Sequence, residues 1–422
     1  MTFNTFGLSD SLVQGVLAGG YTVPTPIQSR AIPAAMGGRD IIGCAQTGTG
    51  KTAAFVLPLL NRLSSEPRPH KRVVKSLILT PTRELAAQIE ESILGHGRFL
   101  SLRTLAVYGG VSIHNQLDAL HRGVDIVVAT PGRLMDHMQR GTIDLKHVEV
   151  LVLDEADRML DMGFIRDVRR IIAALPKNRQ TLLFSATLSP EVKRLAGGIQ
   201  KTPETIRVGR LHNPIETITQ HVYSVERQHK MDLLLHMLRA ERMCSVLVFS
   251  RTKHGADKIC RRLERAGVDS VSLHSGRSQG QRQRALGGFR SGRYRVMVAT
   301  DIAARGIDVQ GISHVVNFDV PAFAQDYVHR IGRTGRAAAT GDAITFVSGD
   351  EREYLDKIEK FIARKFAPQE CPDFVRRQPG SATQRPHGRL PSVRSRKADS
   401  RAGGKPRAAC KRRRKGARRR AV

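Results

Sequence analysis

The sequence predicts an α/β protein made of two parallel-sheet domains in tandem, followed by a disordered basic tail. Three observations carry this reading. Short runs rich in Val, Ile and Leu alternate with helix-length amphipathic stretches from about residue 30 to 350. The alternation pauses once, at residues 209–217, and then restarts. Beyond about Pro368, apolar residues thin out and Arg, Pro, Gly and Ser dominate. Nearly continuous apolar strands separated by helices imply a parallel sheet covered on both faces.

In the first half, strands are expected at 40–44, 76–80, 125–129, 148–154 and 180–185. Stretches such as 83–98 and 164–175 carry apolar residues at helical spacing. Residues 209–217 (GRLHNPIET) hold Gly, Asn and Pro and no long apolar run, so they read as a linker. The second half has strand-like runs at 220–225, 245–250, 270–273, 295–299, 314–318 and 343–347, and a closing helix at 350–361. The domains are therefore 1–208 and 218–366, with a tail at 367–422 too poor in apolar residues to fold.

Of the 422 residues, 40% are apolar and 25% charged, which fits a soluble globular chain. The longest apolar-rich runs, 55–60 and 148–153, fall far short of the roughly 18–20 residues needed to cross a bilayer. The first residues, MTFNTFGLSD, lack a basic start and an apolar stretch, so no secretory signal is expected. Five cysteines without C-x-x-C spacing argue against a disulfide framework and a zinc site. A cytoplasmic protein is expected.

Charge is the strongest compositional signal, at +31. Residues 375–422 hold 18 Lys and Arg against one acid, Asp399, a net +17. Residues 1–374 hold 51 against 37, a net +14. A polyanion partner follows, nucleic acid before membrane, because the tail lacks the large apolar residues of an amphipathic membrane helix. A tail that only aids solubility is the alternative.

The segment 45–52, AQTGTGKT, follows a strand and opens an apolar helix. It matches the phosphate loop G-x-x-x-x-G-K-[ST] except that Ala45 replaces the first glycine. Gln46, Thr47 and Thr49 complete the loop. Gly48 and Gly50 let backbone N–H groups turn toward phosphate oxygens, with a helix N-terminus behind them. Lys51 supplies charge to the β/γ-phosphates and Thr52 a hydroxyl for Mg²⁺. The strand at 148–153 ends in Asp154-Glu155-Ala156-Asp157. Carboxylates at the end of a neighbouring parallel strand sit where such sheets bind ligands. Asp154 is expected to hold Mg²⁺ through water, and Glu155 to orient and deprotonate an attacking water.

The chain resembles DEAD-box ATP-dependent RNA helicases of superfamily 2 over about residues 3–365. The resemblance is carried by Phe3 and GYTVPTPIQ (20–28), AQTGTGKT, PTREL (81–85), Gly109-Gly110, TPGR (130–133), DEAD (154–157), SAT (185–187), VFSRT (248–252), QGQR (279–282), TDIAARGID (300–308) and HRIGRTGR (329–336). These occur in the family's order at about its spacing. The basic tail and compact N-terminus look most like the bacterial RhlE-type branch.

The resemblance implies two RecA-like domains with ATP and Mg²⁺ in the cleft between them. It assigns adenine to Gln28, whose amide offers a donor and an acceptor for N6 and N7. Tyr21 would stack on the base and Phe3 would brace this loop. Gly306 and Asp308 would approach the nucleotide, with Arg333 and Arg336 as arginine fingers. Arg330, three residues before Arg333, could share their helical face. Ser185, Thr187 and His329 would couple ATP state to RNA binding. RNA contacts are implied for Pro81, Thr82, Arg83, Gly110, Thr130, Gly132, Arg133, Arg251, Thr252, Arg282 and Thr300. Such groups follow a sugar–phosphate backbone without reading base identity. Ser275 stands where the family usually has Gly, and Gln325 where an acid is common.

The expected activity is RNA-stimulated ATP hydrolysis coupled to separation of short RNA duplexes or remodelling of RNA–protein complexes. The expected partners are RNA, held in part by the tail, and ribosomal precursors or RNA-decay proteins. No membrane association is expected, and the protein is read as a monomer. A DNA translocase of the same superfamily and a non-enzymatic RNA clamp are the alternatives. The PTPIQ and DEAD segments argue against the first. Lys51, Glu155 and the finger arginines argue against the second.

Overall fold

Both sheets of the computed structural model are wholly parallel, so each gathers the carboxyl ends of its strands along one edge. The structure describes residues 2–45, 48–65, 72–208, 218–240, 243–304, 309, 311–335, 341–369 and 374. The expected linker at 209–217 and nearly all of the tail lie outside them.

The first sheet is built from β1 (Ile41–Cys44), β2 (Ser76–Leu79), β3 (Thr104–Val107), β4 (Ile126–Ala129), β5 (Val150–Leu153), β6 (Gln180–Ser185) and β7 (Glu204–Arg207). Their order is β3-β4-β2-β5-β6-β1-β7. β2, β4, β5 and β6 are buried at every position, which is why their sequences are continuous apolar runs rather than alternations. β3 and β7, absent from the expected strands above, are the edges. Each is buried on fewer positions, so neither carries a strong apolar run.

One face of this sheet packs on the helices Pro26–Met36, Lys51–Ser64 and Arg83–His96, through Ile27, Phe55, Leu60 and Ile89. The other face packs on Pro131–Gln139, Ile165–Ala173 and Pro190–Ile199 through Leu134, Ile171 and Val192. Helix starts follow local chemistry. Thr25 and Gln28 form a capping box ahead of Pro26–Met36. The Thr82 hydroxyl accepts from the Leu85 N–H at the start of Arg83–His96.

The second sheet comprises β8 (Ile218–Ser224), β9 (Val246–Phe249), β10 (Ser270–Leu273), β11 (Val296–Ala299), β12 (His314–Asn317) and β13 (Gly341–Val347), in the order β10-β11-β9-β12-β13-β8. Position for position, this repeats the first sheet without its β7 edge. The closing helix is Arg352–Ile362 rather than 350–361. A 3-10 turn, Gly349–Glu351, precedes it because Ser348 and Glu351 form their own capping box. Among the described residues, no helix is long and apolar enough to cross a membrane.

Candidate functional site

A cavity of about 650 Å³ opens at the carboxyl ends of β1 and β5. From the first domain it is lined by Tyr21, Gln28, Gly48, Gly50, Lys51, Thr52, Asp154 and Glu155, and from the second by Arg290 and Arg333. Gly48 and Gly50 have φ of 86° and 87°, the left-handed conformation that side-chain-bearing residues rarely adopt. A Cβ on Gly50 would also lie 2.4 Å from the Gln28 amide nitrogen. The loop therefore needs glycine there on two counts. Lys51 is the first residue of its helix, and its ammonium donates to the Ala45 carbonyl at 2.5 Å. Ala45 is buried. Thr49 lies in the same turn, whereas Gln46 and Thr47 fall outside the described residues.

Gln28 is 1% exposed and already bonded twice. Its Oε1 accepts from the Thr25 N–H at 2.9 Å, and its Nε2 donates to the Gly50 carbonyl at 3.1 Å. One lone pair and one N–H remain for a base. Tyr21 is 40% exposed at the cavity rim, with its ring edge-on to His96 at 4.8 Å. Burial, and then Arg98, hold the His96 imidazole down at about 4, so it is neutral at pH 7. Phe3 is buried against Phe6 in the core beneath.

Asp154 is buried, and burial pushes its carboxyl up to about 7 against the pull of Lys51. Glu155 has φ 52°, and its carboxylate accepts from Arg158 at 2.9 Å in a buried ion pair. Asp157 binds the next strand end. Its Oδ2 accepts from the Ala186 and Thr187 N–H groups and from the Thr187 hydroxyl, while Ser185 Oγ accepts from the Asp157 N–H. Asp157 was read from the sequence as part of the DEAD segment without a role of its own, and Arg158 was not singled out. The only signal for Arg158 was its i,i+3 spacing from Glu155.

Arg333 is buried at 4% exposure and reaches the cavity from the second domain. The helix before it, Ala324–Ile331, contains Arg330 but ends ahead of Arg333, so these two do not share the helical face that their spacing suggested. Arg330 instead turns into its own domain. It forms a bidentate pair with Asp301 at 2.5 and 2.7 Å and bonds to Asn317. A guanidinium fork matches a carboxylate this way, and burial rewards full pairing. His329 is held down at about 4 by burial and by Arg158, and its Nδ1 has no hydrogen-bond partner among the described residues. Gly306, Asp308 and Arg336 lie outside the described residues.

A second cavity, about 460 Å³, gathers Pro81, Thr82, Arg83, Thr130, Gly132 and Arg133 from the first domain. Ser275 and Arg282 come to it from the second. Gly110 has φ 83°, and a Cβ there would lie 2.0 Å from the Arg83 guanidinium, so glycine is what lets that side chain lie flat. Arg282 is not a free cation. Its Nε donates to Glu84 at 2.8 Å, and Gln279 bonds the same carboxylate at 3.3 Å, joining the two domains through buried groups. Glu84 was missed because an acid in a helix's first turn ordinarily just complements the dipole. Arg251 and Thr252 line a third cavity, of about 620 Å³, within the second domain. Thr300 directly follows β11, its N–H donating to the Leu273 carbonyl, and lines none of the three.

Residues 25–195 match the DEAD/DEAH box helicase family and residues 229–338 the helicase conserved C-terminal domain. The chain is 41% identical over 372 residues to the ATP-dependent RNA helicase CshA of Limosilactobacillus reuteri, covering 88% of this chain and 74% of that one. It is 43% identical over 371 residues to CshA of Bacillus cereus, covering 88% and 70%. Among solved structures it resembles S. cerevisiae Dbp5 bound to RNA and ADP BeF3, with a TM-score of 0.77 and 31% identity over 87% of this chain and 95% of that one. It also resembles Mss116p bound to ssRNA and AMP-PNP, with a TM-score of 0.79 and 27% identity over 88% and 79%. On sequence and fold together, the chain belongs to the DEAD-box RNA helicase family.

Proposed function

We propose that this ATP-dependent RNA helicase closes its two domains on ATP and RNA together. The observation that carries the reading is one cavity lined by Lys51, Asp154 and Glu155 from the first sheet and Arg333 from the second. Lys51 neutralises charge on the β- and γ-phosphates. Glu155, held by Arg158, orients the attacking water and takes its proton. Arg333 and Arg336 stabilise charge developing on the transferred phosphoryl group. Gln28 selects adenine with its remaining donor and acceptor, and Tyr21 covers the base. Gly306 and Asp308, outside the described residues, are assigned to the nucleotide by the family resemblance alone.

The donor set suits Mg²⁺. The Thr52 hydroxyl and the Asp154 carboxylate are hard oxygens, and a buried carboxyl pushed up by burial is one that a cation would relieve. Bound there, Mg²⁺ would neutralise phosphate charge.

RNA backbone is held by Pro81, Thr82, Arg83, Gly110, Thr130, Gly132 and Arg133 on one side and by Arg251, Thr252, Arg282 and Thr300 on the other. Ser185, Thr187 and His329 relay the nucleotide state through Asp157. The basic tail tethers RNA without reading its sequence, and with the compact N-terminus it is what supports placement in an RhlE-type branch. A cytoplasmic monomer acting on ribosomal precursors or with RNA-decay proteins fits these properties. The test is Glu155→Gln. Turnover should fall about 10²–10⁴-fold while ATP and RNA still bind. Turnover within a few-fold of wild type would remove Glu155 from this role.

A further inference from the structure

The two sheets share one strand order, so each ligand position in the first has a counterpart in the second. Lys51 begins the helix after β1, and Lys230 begins the helix after β8, the matching strand. Above Lys230 lies the cavity of about 620 Å³ at the ends of β8, β9, β12 and β13, the place that the nucleotide cavity occupies in the first domain. Its floor is closed chemically. The Lys230 ammonium donates to the carbonyls of half-buried Phe318 and buried Phe346 and to buried Glu351. Glu351 thus takes the Lys230 charge that a phosphate would take at Lys51, and it pairs with Arg251 as well, so the floor offers a nucleotide no free lysine.

The rim is different. Arg227, Lys258 and Arg262 line it and are exposed, Arg227 to 86%. The acids beside them are largely engaged. Asp319 accepts from Ser250 and the Arg251 N–H, Asp350 from Ser348, and Glu226 from Gln228. The ion pairs of Arg227 with Asp350 and of Arg262 with Asp232 are long, at 4.0 Å each, and surface-exposed. Such pairs hold a side chain weakly. Arg251 and Thr252, assigned above to RNA, line the same cavity.

We propose that the RNA strand continues past Thr252 across this cavity, with Arg227, Lys258 and Arg262 binding phosphates of flanking nucleotides. The proposal rests on the reading of Arg251 and Thr252 as RNA contacts. It gives the second domain's unused nucleotide position a role as a backbone cradle outside the core track.

The test compares the full chain with its Arg227→Ala, Lys258→Ala, Arg262→Ala triple variant, in the presence of AMP-PNP. The probes are a short single-stranded RNA that fills the core track and versions extended by about five nucleotides at the 5′ or the 3′ end. Losing three phosphate contacts should make the salt slope shallower by about 2 and weaken binding about tenfold at low salt. The loss should appear for one extended RNA only, while the short RNA binds the variant as it binds wild type. A second triple variant, Arg265→Ala, Lys357→Ala, Lys360→Ala, removes equal exposed charge outside the cavity and should change nothing. Equal loss on the short RNA, equal loss in this control, or no loss with either extension would overturn the proposal. So would weakened capture of an acidic peptide with RNA affinity unchanged. Failure of the short RNA to bind wild type would instead overturn the underlying RNA reading.

Discussion

Gln28 shows how one buried amide serves three neighbours. It caps its own helix through Thr25, anchors the phosphate loop at Gly50, and keeps one donor and one acceptor for a base. Guanine presents an acceptor where adenine has a donor, so it would leave this amide unpaired, and a buried unpaired polar group costs about 1–3 kcal/mol. ATP should therefore be used in preference to GTP, and Gln28→Ala should reduce that preference. Because the same amide anchors Gly50, the variant should also bind ATP itself more weakly. Competition of GTP against ATP in a turnover assay measures both effects, and equal use of GTP by the intact chain would remove Gln28 as the base reader. Glu155 is constrained in another way. Its left-handed backbone is a conformation a non-glycine residue holds only when its surroundings enforce it, here the Arg158 ion pair and the bond from its N–H to Asp154.

The helix Arg83–His96 links three features. Its start lies in the cavity of about 460 Å³, Glu84 in its first turn pairs with Arg282 across the domain boundary, and His96 in its last turn lines the cavity of about 650 Å³. Removing one partner of a buried ion pair costs about 3–5 kcal/mol, because the other charge is stranded. Glu84→Ala should thus weaken RNA binding in the presence of an ATP analogue by at least about tenfold, with ATP binding in the absence of RNA unchanged. Fluorescence anisotropy on labelled RNA, with and without nucleotide, reads this directly. Unchanged RNA affinity would mean the pair contributes nothing to closure. The helix itself was legible in the sequence because its apolar face repeats at helical spacing. Its pairing with Arg282 was not, since Glu84 and Arg282 meet only when two separately folded sheets approach. The same distinction runs through the site. Lys51, Asp154 and Glu155 could be read from strand ends and local spacing. Asp157 and Arg158 could not, because their roles depend on contacts across strand ends and turns. Arg330 was misread for a related reason, since its carboxylate partner, Asp301, sits 29 positions away.

Across the whole molecule, the charge divides into a basic folded part and a more densely basic tail. A tether raises the local concentration of RNA without adding a catalytic group. If about six tail residues neutralise phosphates, their share of the salt slope is roughly −4 on single strands. Deleting 375–422 should weaken RNA binding at low salt and flatten the salt dependence, while turnover at saturating RNA stays close to that of the full chain. An affinity titration from 50 to 200 mM salt on both chains checks this, and an unchanged slope would leave the tail without an RNA role. The central claim is that RNA and ATP close one site built from both sheets. Its most direct measurement is ATP turnover by the full chain with no nucleic acid, single-stranded RNA, short duplex RNA and DNA in parallel. Turnover should rise with RNA and not with DNA, and the short duplex should separate only when ATP is present. Equal turnover with and without RNA, or equal stimulation by DNA, would contradict it.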